Sequence, residues 1–489
     1  MTETSAPTLH GQHFDAIIIG AGMSGLAAGI RLAHFGKRVL LLERHSLAGG
    51  LNSYYTRGKR RFDTGLHALT NYVPPGTKGT PLAKLLRQLR IPHEALALAP
   101  QLGSAIHFAE HRIRFTNDFS VLESEIARTF PKQIDAFRRL DRFIRDFHET
   151  ALNAQPSSAR EAVATHILDK RLVDTLFLPL SYYGSAREND MDLPQFAVMW
   201  KSIFHEGFAR PLDGVYRIIR LLLDKYREAG GMRKMHCGVH RLHVEKNNAP
   251  ENKKGHVAAI ELDTGEMLTA DHVFSCAGYA ETLRLCSDQA ADAGRENIGA
   301  LSFCETITVL GKQPRSDFGW GETIIFFCDS EHLHYAAPRQ DELVDPRSGV
   351  ICIPNNYDYA DGRQLEEGWL RVTALASHAA WHALDAPARA TAKHIWHERL
   401  TLIARAHLPP VNNTSFTSSI RECDMFTPLT IERFTRRLNG AIYGAPRKCR
   451  DGSTQLANLH LCGTDQGFLG IVGAMLSGIS IANLHGLKT

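Results

Sequence analysis

The sequence has 489 residues, enough for about three domains at roughly 150 residues each. Hydrophobic residues make up 44% and charged residues 22%, which is ordinary globular usage and excludes a disordered or fibrous chain. The formal net charge is only +4, with no long run of one sign, so we expect no nucleic-acid partner.

The cysteines and histidines give no sign of a metal site. The nine cysteines are scattered without Cys-x-x-Cys spacing, and no His-Glu-x-x-His motif occurs, so we expect no metal. The opening MTETSAPTLHGQH does not pair a positive segment with an apolar one, as a secretory signal does. We therefore expect reduced thiols and a cytoplasmic protein.

The first predicted elements form a βαβ unit. The apolar, β-branched run at 14–19 predicts a buried strand. A glycine-rich turn and an amphipathic helix ending near Gly36 follow, and then a second buried strand at 39–42. A unit of this length is the usual nucleus of a parallel sheet.

The next segment predicts helices. From about 80 to 200, apolar residues recur three and four apart, so long helices should dominate there. Residues 212–231 predict a further helix, closed by two glycines and followed by an alternating strand. A polar turn at 247–255 then leads to two or three short strands with a hairpin at Thr264-Gly265.

The last third of the chain predicts a second sheet and a glycine-rich terminal helix. Between about 297 and 443, strand-like runs surround one helical piece, ARATAKHIWHERLTLIARA, which indicates a sheet with a covering helix. Residues 468–487 are apolar but contain glycine, Asn483 and His485, so a buried helix is favoured over a membrane span. The basic amphipathic helices between 120 and 230 fit either an ordinary surface or peripheral membrane contact.

The strongest motif is Gly20-x-Gly22-x-x-Gly25, placed after a buried strand and opening a helix. The glycines permit a tight turn and close approach of a pyrophosphate, and the helix N-terminus offers N–H groups to it. Glu43, at the end of the next strand, can accept hydrogen bonds from ribose hydroxyls. The pattern predicts a dinucleotide site, for FAD or NAD.

Three further motifs favour FAD. Ala48-Gly49-Gly50, FDTGLHAL at 62–69 and HLCGTDQGF at 460–468 together resemble the flavoprotein superfamily of amine oxidases, phytoene desaturases, carotenoid isomerases and retinol saturases. TPLTIERF at 427–434 and GAIYG at 440–444 resemble the desaturase, isomerase and saturase branch. Two departures are Leu51-Asn52, where the family often has arginine, and Asp213-Gly214, where it usually has Gly-Gly.

The resemblance implies an α/β fold. A Rossmann-like FAD-binding domain is expected to be assembled from the discontinuous segments 10–78, 205–290 and 440–489. An α+β substrate domain is then inserted, with a helical part at 79–204 and a mixed sheet at 291–439.

The resemblance also implies the site residues. Asp465 would accept hydrogen bonds from the ribityl chain, and the helix start at 470–472 would point N–H groups at the flavin. The candidate catalytic residues are His67, expected beside the flavin, and Tyr443, expected in the substrate cavity. The expected cofactor-binding residues are Gly20, Ala21, Gly22, Met23, Ser24, Gly25, Glu43, Arg44, Gly49, Gly50, Leu51, Asn52, Gly65, Leu66, His67, Val239, Ala277, Gly278, Gly463, Asp465, Gly470, Ile471 and Val472.

The implied function is hydride transfer between an apolar isoprenoid or polyene and flavin N5, with oxygen or a quinone as the electron acceptor. Desaturation, saturation and isomerisation all remain open. One alternative is an amine oxidase; many of these keep a lysine near the flavin, and no equivalent lysine is evident in this sequence. The other is a non-catalytic isoprenoid-binding protein of the same fold.

Overall fold

The computed structural model describes residues 9–149, 156–246 and 254–488, so most of the polar turn predicted at 247–255 lies outside the described residues. Two large sheets contain most of the strands. The strands are β1 His13–Ile19, β2 Val39–Leu42, β3 Tyr54–Arg57, β4 Arg60–Asp63, β5 Leu98–Pro100, β6 Ser104–Phe108, β7 His111–Phe115, β8 Ala209–Pro211, β9 Met232–Lys234, β10 Val239–Glu245, β11 His256–Leu262, β12 Met267–Ser275, β13 Phe303–Leu310, β14 Ile324–Cys328, β15 Val344–Cys352, β16 Gly368–Ala376, β17 Ile420–Phe426 and β18 Leu459–Leu461.

The helices cover both sheets. They are α1 Met23–Ala33, α2 Pro81–Leu89, α3 Phe119–Thr129, α4 Ile134–Asp146, α5 Ala159–Ala164, α6 Lys170–Gly184, α7 Leu193–Trp200, α8 Val215–Glu228, α9 Tyr279–Leu283, α10 Pro314–Phe318, α11 His378–Ala383, α12 Ala386–Ala406, α13 Asn413–Ser419, α14 Pro428–Thr435 and α15 Gly470–Ile481.

The first sheet confirms the predicted βαβ unit. Its order is β10-β11-β12-β1-β2-β9, and β18 pairs with β12. β1 runs parallel to both β2 and β12, and β18 and β9 extend the parallel part. β2 is buried along its whole length, as expected of a central parallel strand that is covered on both faces. The predicted turn at Thr264-Gly265 joins β11 to β12.

Helix α1 is buried between this sheet and helix α15. The predicted terminal helix is confirmed as α15, which packs along α1 and is buried on most of its residues. The contact is close because a Cβ at Gly478 would overlap the carbonyl oxygen of Ser24. Across the described ranges, no helix combines the length and apolar character needed to cross a membrane.

The second sheet confirms the prediction of a sheet with a covering helix. Its order is β17-β13-β16-β15-β14-β6-β7, and the covering helix is α12. Even-numbered residues of β13 face α12, where Thr308 contacts His397. Odd-numbered residues face the other way, towards the β3–β4 hairpin and the helical part of the molecule. This second side is called the inner face below.

The region predicted to be helical also contains a hairpin. Helices α2 to α7 occupy most of 81–200, but β6 and β7 lie between α2 and α3 and form one edge of the second sheet. β6 pairs in parallel with β14, whose residues lie about 220 positions later in the chain. No local pattern could reveal that partner. The domain boundaries proposed from the sequence stay a prediction.

Candidate active site

The glycine motif forms a tight loop between β1 and α1. Gly20 has a φ of +100°, which favours glycine, and a Cβ at Gly25 would overlap the carbonyl oxygen of Gly20. Gly22 differs, since its φ is ordinary and a Cβ there would meet nothing within 4 Å. Gly25 is therefore required by packing, whereas the space beside Gly22 is open to a ligand.

The first turn of α1 presents backbone donors. Within the described residues, α1 has no side-chain cap and no acidic residue in its first turn, which contains Met23 and Ser24. The Gly-Gly pair lies directly against this turn. The Gly49 N–H donates to the Ala21 carbonyl over 2.8 Å, and Gly50 packs near Gly22. The two glycine motifs thus make one surface suited to an anion at a helix N-terminus. We call it the glycine surface.

Glu43 closes one end of this surface. Its Oε2 accepts from the Ala21 N–H over 2.7 Å and its Oε1 from the His45 N–H over 2.8 Å. A carboxylate has about four lone-pair sites, so acceptor capacity remains for hydroxyl groups. Next to it, the Arg44 guanidinium binds Asp263 over 3.0 and 3.1 Å and the Val239 carbonyl over 3.3 Å.

The C-terminal motif lies on the other side of α1. The Gly463 N–H donates to the Ser477 hydroxyl over 2.7 Å, and a Cβ at Gly463 would lie 3.1 Å from the Ser24 hydroxyl. Gly470, with a φ of +69°, begins α15, followed by Ile471 and Val472. Among the described residues, α15 also has no side-chain cap, so its first N–H groups are further donors.

Asp465 is buried and fully engaged. Its two oxygens accept from the Ala445 N–H over 2.7 Å, from the Tyr279 N–H over 2.6 Å, and from both terminal nitrogens of Arg437 over 3.3 Å. Burial raises the pKa of Asp465, but the charges of Arg437 and Lys448 outweigh it and lower that pKa to about 2. In this structure the carboxylate binds Arg437 and two backbone N–H groups. The predicted contact to ribityl hydroxyls stays a prediction.

Arg437 was not predicted from the sequence. It donates to the Ala277 carbonyl over 3.1 Å and to the Thr464 hydroxyl over 3.0 Å, and a Cβ at Gly278 would overlap its guanidinium. Its Nε is buried without a hydrogen-bond partner among the described residues. Arg437 is one of three arginines in RFTRRLNG, and nothing local distinguishes it.

The segment at 62–69 passes beneath the inner face of the second sheet. Gly65 packs on the 3-10 turn Gly50–Asn52, where a Cβ would lie 2.5 Å from the Leu51 carbonyl oxygen and 2.9 Å from Asn52 Oδ1. The Leu66 carbonyl accepts from Arg210 over 2.8 Å and from Arg371 over 3.1 Å. Two buried arginines therefore fix the path of this segment.

His67 belongs to a polar cluster on the inner face. Its Nε2 lies 2.9 Å from Glu305 and 3.3 Å from the Thr373 hydroxyl, and Glu305 also pairs with Arg371. Burial raises the pKa of Glu305, but Arg371 and His67 lower it overall. Glu305 is therefore ionised and accepts a hydrogen bond from His67 Nε2, and this fixes the ring.

Tyr443 lies in a wall of aromatic side chains that also contains Tyr182 and Phe303. Its hydroxyl donates to the Tyr182 carbonyl, and its ring packs edge-on against Phe303 with centroids 5.9 Å apart. Its own carbonyl accepts from Lys448 Nζ over 2.6 Å. Burial raises the pKa of the Tyr443 hydroxyl, so it stays a neutral donor. This wall, with the buried Tyr335 beside it, is apolar apart from its hydroxyls.

These residues fit a dinucleotide that carries a flavin. The glycine surface leaves room at Gly22, uncapped helix termini supply N–H donors, Glu43 keeps acceptor capacity, and Arg437 has an orphaned buried Nε. Donors and acceptors of these types suit phosphates, hydroxyls and ring carbonyls in turn. No group of three or more potential metal ligands occurs across 9–149, 156–246 and 254–488.

Comparison with known proteins agrees with this geometry. Residues 18–89 match the family model of the NAD(P)-binding Rossmann-like domain. Prolycopene isomerase 2 of an Oncidium hybrid cultivar is 29% identical over 131 residues, which cover 26% of this chain and 22% of that protein. Phytoene desaturase of Neurospora crassa is 27% identical over 305 residues, which cover 56% of this chain and 48% of that protein. All-trans-retinol 13,14-reductase of Homo sapiens is 46% identical over 56 residues, covering 12% and 9%.

Solved structures show the same fold over nearly the whole chain. An oxidoreductase from Methanosarcina mazei has a TM-score of 0.64 at 15% identity and covers 96% of this chain and 99% of that one. Cyclohexylamine oxidase from Brevibacterium oxydans has a TM-score of 0.58 at 15% identity, covering 97% and 98%. The chain spans less than half the length of the curated relatives it matches. This chain is thus similar in sequence to phytoene desaturase, prolycopene isomerase and all-trans-retinol 13,14-reductase, and it shares the fold of these solved oxidoreductases.

Proposed function

We propose that this protein is an FAD-dependent oxidoreductase that acts on an apolar isoprenoid or polyene. The observation that carries the proposal is the unbroken row of groups suited to FAD. It runs from Glu43 over the glycine surface to Ser24 and Gly463, then to Arg437 and the start of α15. When bound, FAD supplies the hydride acceptor, its N5 atom.

The chain's own residues position the substrate and exclude water. Tyr443, Tyr182 and Phe303 form an aromatic wall on the inner face, which suits an apolar chain. His67 is held by Glu305 through Nε2, and its Nδ1 makes no hydrogen bond with any described residue. Nδ1 is thus the atom through which His67 would contact a ligand.

The first test is the visible spectrum of the purified protein, followed by heat release and identification of the small molecule. Released FAD supports the proposal. The protein is then mixed anaerobically with phytoene, lycopene or retinol, and loss of flavin absorbance at about 450 nm identifies an electron donor. Dithionite-reduced protein mixed with the same polyenes tests the opposite direction. A colourless protein that refuses added FAD contradicts the proposal and favours the non-catalytic isoprenoid-binding alternative.

The amine oxidase alternative is favoured by one residue. Lys448 is half-buried beside Asp465, its Nζ donates to the Tyr443 carbonyl, and a Cβ at Gly467 would lie 3.5 Å from its side chain. Burial lowers the pKa of Lys448 to about 8. A lysine therefore does lie beside the proposed flavin site. Peroxide release on putrescine or cyclohexylamine, with no bleaching by polyenes, would favour this alternative.

The physiological surroundings are also proposals. Oxygen or a quinone is the proposed electron acceptor, and a cytoplasmic protein with peripheral membrane contact is the proposed location. Large exposed apolar side chains occur singly, for example Phe35, Leu168 and Leu402. Flotation with liposomes tests the membrane contact directly.

A further inference from the structure

A cavity of about 200 Å³ lies between the inner face of the second sheet and the segment that leads into α8. Three arginines line it, Arg61, Arg210 and Arg371, together with apolar groups that include Ile307 and Trp369. A space with guanidinium groups on one side and apolar walls on the other is suited to an amphipathic ligand. We call it the arginine pocket.

One buried donor in the arginine pocket has no acceptor. Arg210 is only 6% exposed, and it donates to Asp63 over 2.5 Å and to the Leu66 carbonyl over 2.8 Å. Its Nε is buried without any hydrogen-bond partner among the described residues. A buried N–H group without an acceptor is rare in folded proteins, so this nitrogen marks a place where the oxygen of a ligand would complete the hydrogen bonding.

The charges in the pocket favour an anion. Arg210 is matched by Asp63, and Arg371 by Glu305. Arg61 forms no ion pair within the described ranges, and its guanidinium lies 3.7 Å from the centroid of the Tyr216 ring. Asp213 is the other carboxylate in the lining. Arg61 is thus the arginine of this pocket whose charge is not held in an ion pair with any described residue, and a carboxylate of the ligand would pair with it.

The pocket is joined to the proposed flavin site through Leu66. Both Arg210 and Arg371 donate to the Leu66 carbonyl, which lies in the segment that continues to His67. Arg371 also pairs with Glu305, the carboxylate that holds His67. A ligand in the pocket therefore lies one shared residue away from the polar cluster of the proposed active site.

We propose that the arginine pocket binds a carboxylate at the end of the substrate. The substrate class is then an isoprenoid or polyene acid rather than a hydrocarbon or an alcohol. This inference rests on the proposed function, because it assigns the polar end of that substrate. Planar guanidinium groups bind carboxylates with paired, charge-assisted hydrogen bonds, which are stronger than those to a neutral hydroxyl.

The test compares two ligands that differ only at that end. All-trans-retinoate and all-trans-retinol are titrated into the FAD-loaded protein, with binding followed by calorimetry. We expect retinoate to bind at least tenfold more tightly. Arg61→Gln should weaken retinoate binding by about tenfold and leave retinol unchanged. Arg128→Gln, a change at an exposed arginine paired with Glu125, is the control and should alter neither.

Arg210→Gln should weaken retinoate binding further, but it also removes the partner of Asp63 and can impair folding. Arg61 is exposed, so Arg61→Gln keeps the inference falsifiable. Equal affinity for the two ligands, no binding of retinoate, or retinoate binding that is unchanged by Arg61→Gln would each overturn it. Retinoate binding without any bleaching of the flavin by polyenes would refute the proposed function and leave a carboxylate site. Bleaching of the flavin by polyenes without preference for the acid would support the proposed function and refute the carboxylate site.

Discussion

Replacement of Asp465 by Asn tests the buried charge cluster that joins the C-terminal motif to Arg437. The amide is nearly isosteric, but it removes the negative charge. Its oxygen can accept from only one of the Tyr279 and Ala445 N–H groups, because the NH₂ group that replaces the second oxygen is a donor. Arg437 then keeps only the longer ion pair with Glu281, over 3.7 Å, in place of the 3.3 Å pair with Asp465. The variant should lose stability without any change in volume.

The magnitude follows from the pKa and from the cost of breaking buried ion pairs. A fall from 3.8 to about 2 corresponds to about 2 kcal/mol. Removal of one partner of a buried pair typically costs 3–5 kcal/mol. We therefore expect Asp465→Asn to lower the free energy of unfolding by about 2–4 kcal/mol at pH 7.

The pH dependence gives a second, independent signature. Because the pKa of Asp465 is lower in the folded protein, its contribution is complete above about pH 4 and is lost as the pH falls towards 2. Asn does not titrate, so the difference between wild type and variant should shrink below pH 4. Urea unfolding followed by circular dichroism at pH 7, 5 and 3.5 measures both effects.

The control is Glu228→Gln, which breaks an exposed pair with Lys225 one helical turn away. That change should leave the free energy of unfolding nearly unchanged, because exposed ion pairs contribute little. A difference below 0.5 kcal/mol for Asp465→Asn at pH 7 would refute the role given to the cluster. A difference that stays constant down to pH 3.5 would show that the lost interaction is not ionic.

Three further predictions concern the glycine surface and its neighbours. Gly22→Val should abolish flavin retention but leave the melting temperature of the flavin-free protein nearly unchanged. Gly25→Ala should lower both flavin retention and that melting temperature, because its Cβ overlaps the backbone of Gly20, and equal melting temperatures of the two flavin-free variants would contradict this distinction. Glu43→Ala should reduce the flavin content of the purified protein at least tenfold, measured as the ratio of absorbance at 450 to 280 nm, and full occupancy would contradict its assignment to the cofactor site. Burial lowers the pKa of Lys448 to about 8, so between about pH 8 and pH 10.5 the folded protein has lost a proton that the unfolded chain keeps, and the free energy of unfolding rises with pH. Lys448→Met removes the buried charge and should therefore raise the melting temperature at pH 7, and this gain should disappear by about pH 10.5.

The βαβ unit and the glycine surface could be predicted because their determinants are local. A buried strand, a glycine turn and an acidic residue at a fixed spacing all lie within about 30 residues. The terminal helix and α12 could be predicted for the same reason, since periodicity is a property of contiguous sequence.

The partners of the candidate site residues could not be predicted because they come from distant parts of the chain. His67 meets Glu305 across 238 positions, and Arg371 reaches Leu66 across 305. Glu305 and Arg371 stand in strand-like runs in which a charged residue predicts exposure, yet both are buried by their mutual pairing. Only the tertiary arrangement of the second sheet over residues 62–69 reveals these contacts.

The pairing of β18 with β12 and the packing of α15 on α1 also affect when the fold can be completed during synthesis. A ribosome delivers β1 and α1 before the residues that cover α1, because those residues, at 459–481, follow more than 400 positions later. Until then, the backbone at Ser24 lacks the close contact from Gly478, and residues 273–275 of β12 lack their pairing with β18. The proposed nucleotide site is therefore incomplete until residues 459–481 have been synthesised. Full binding of a cofactor that contacts both segments must follow their pairing.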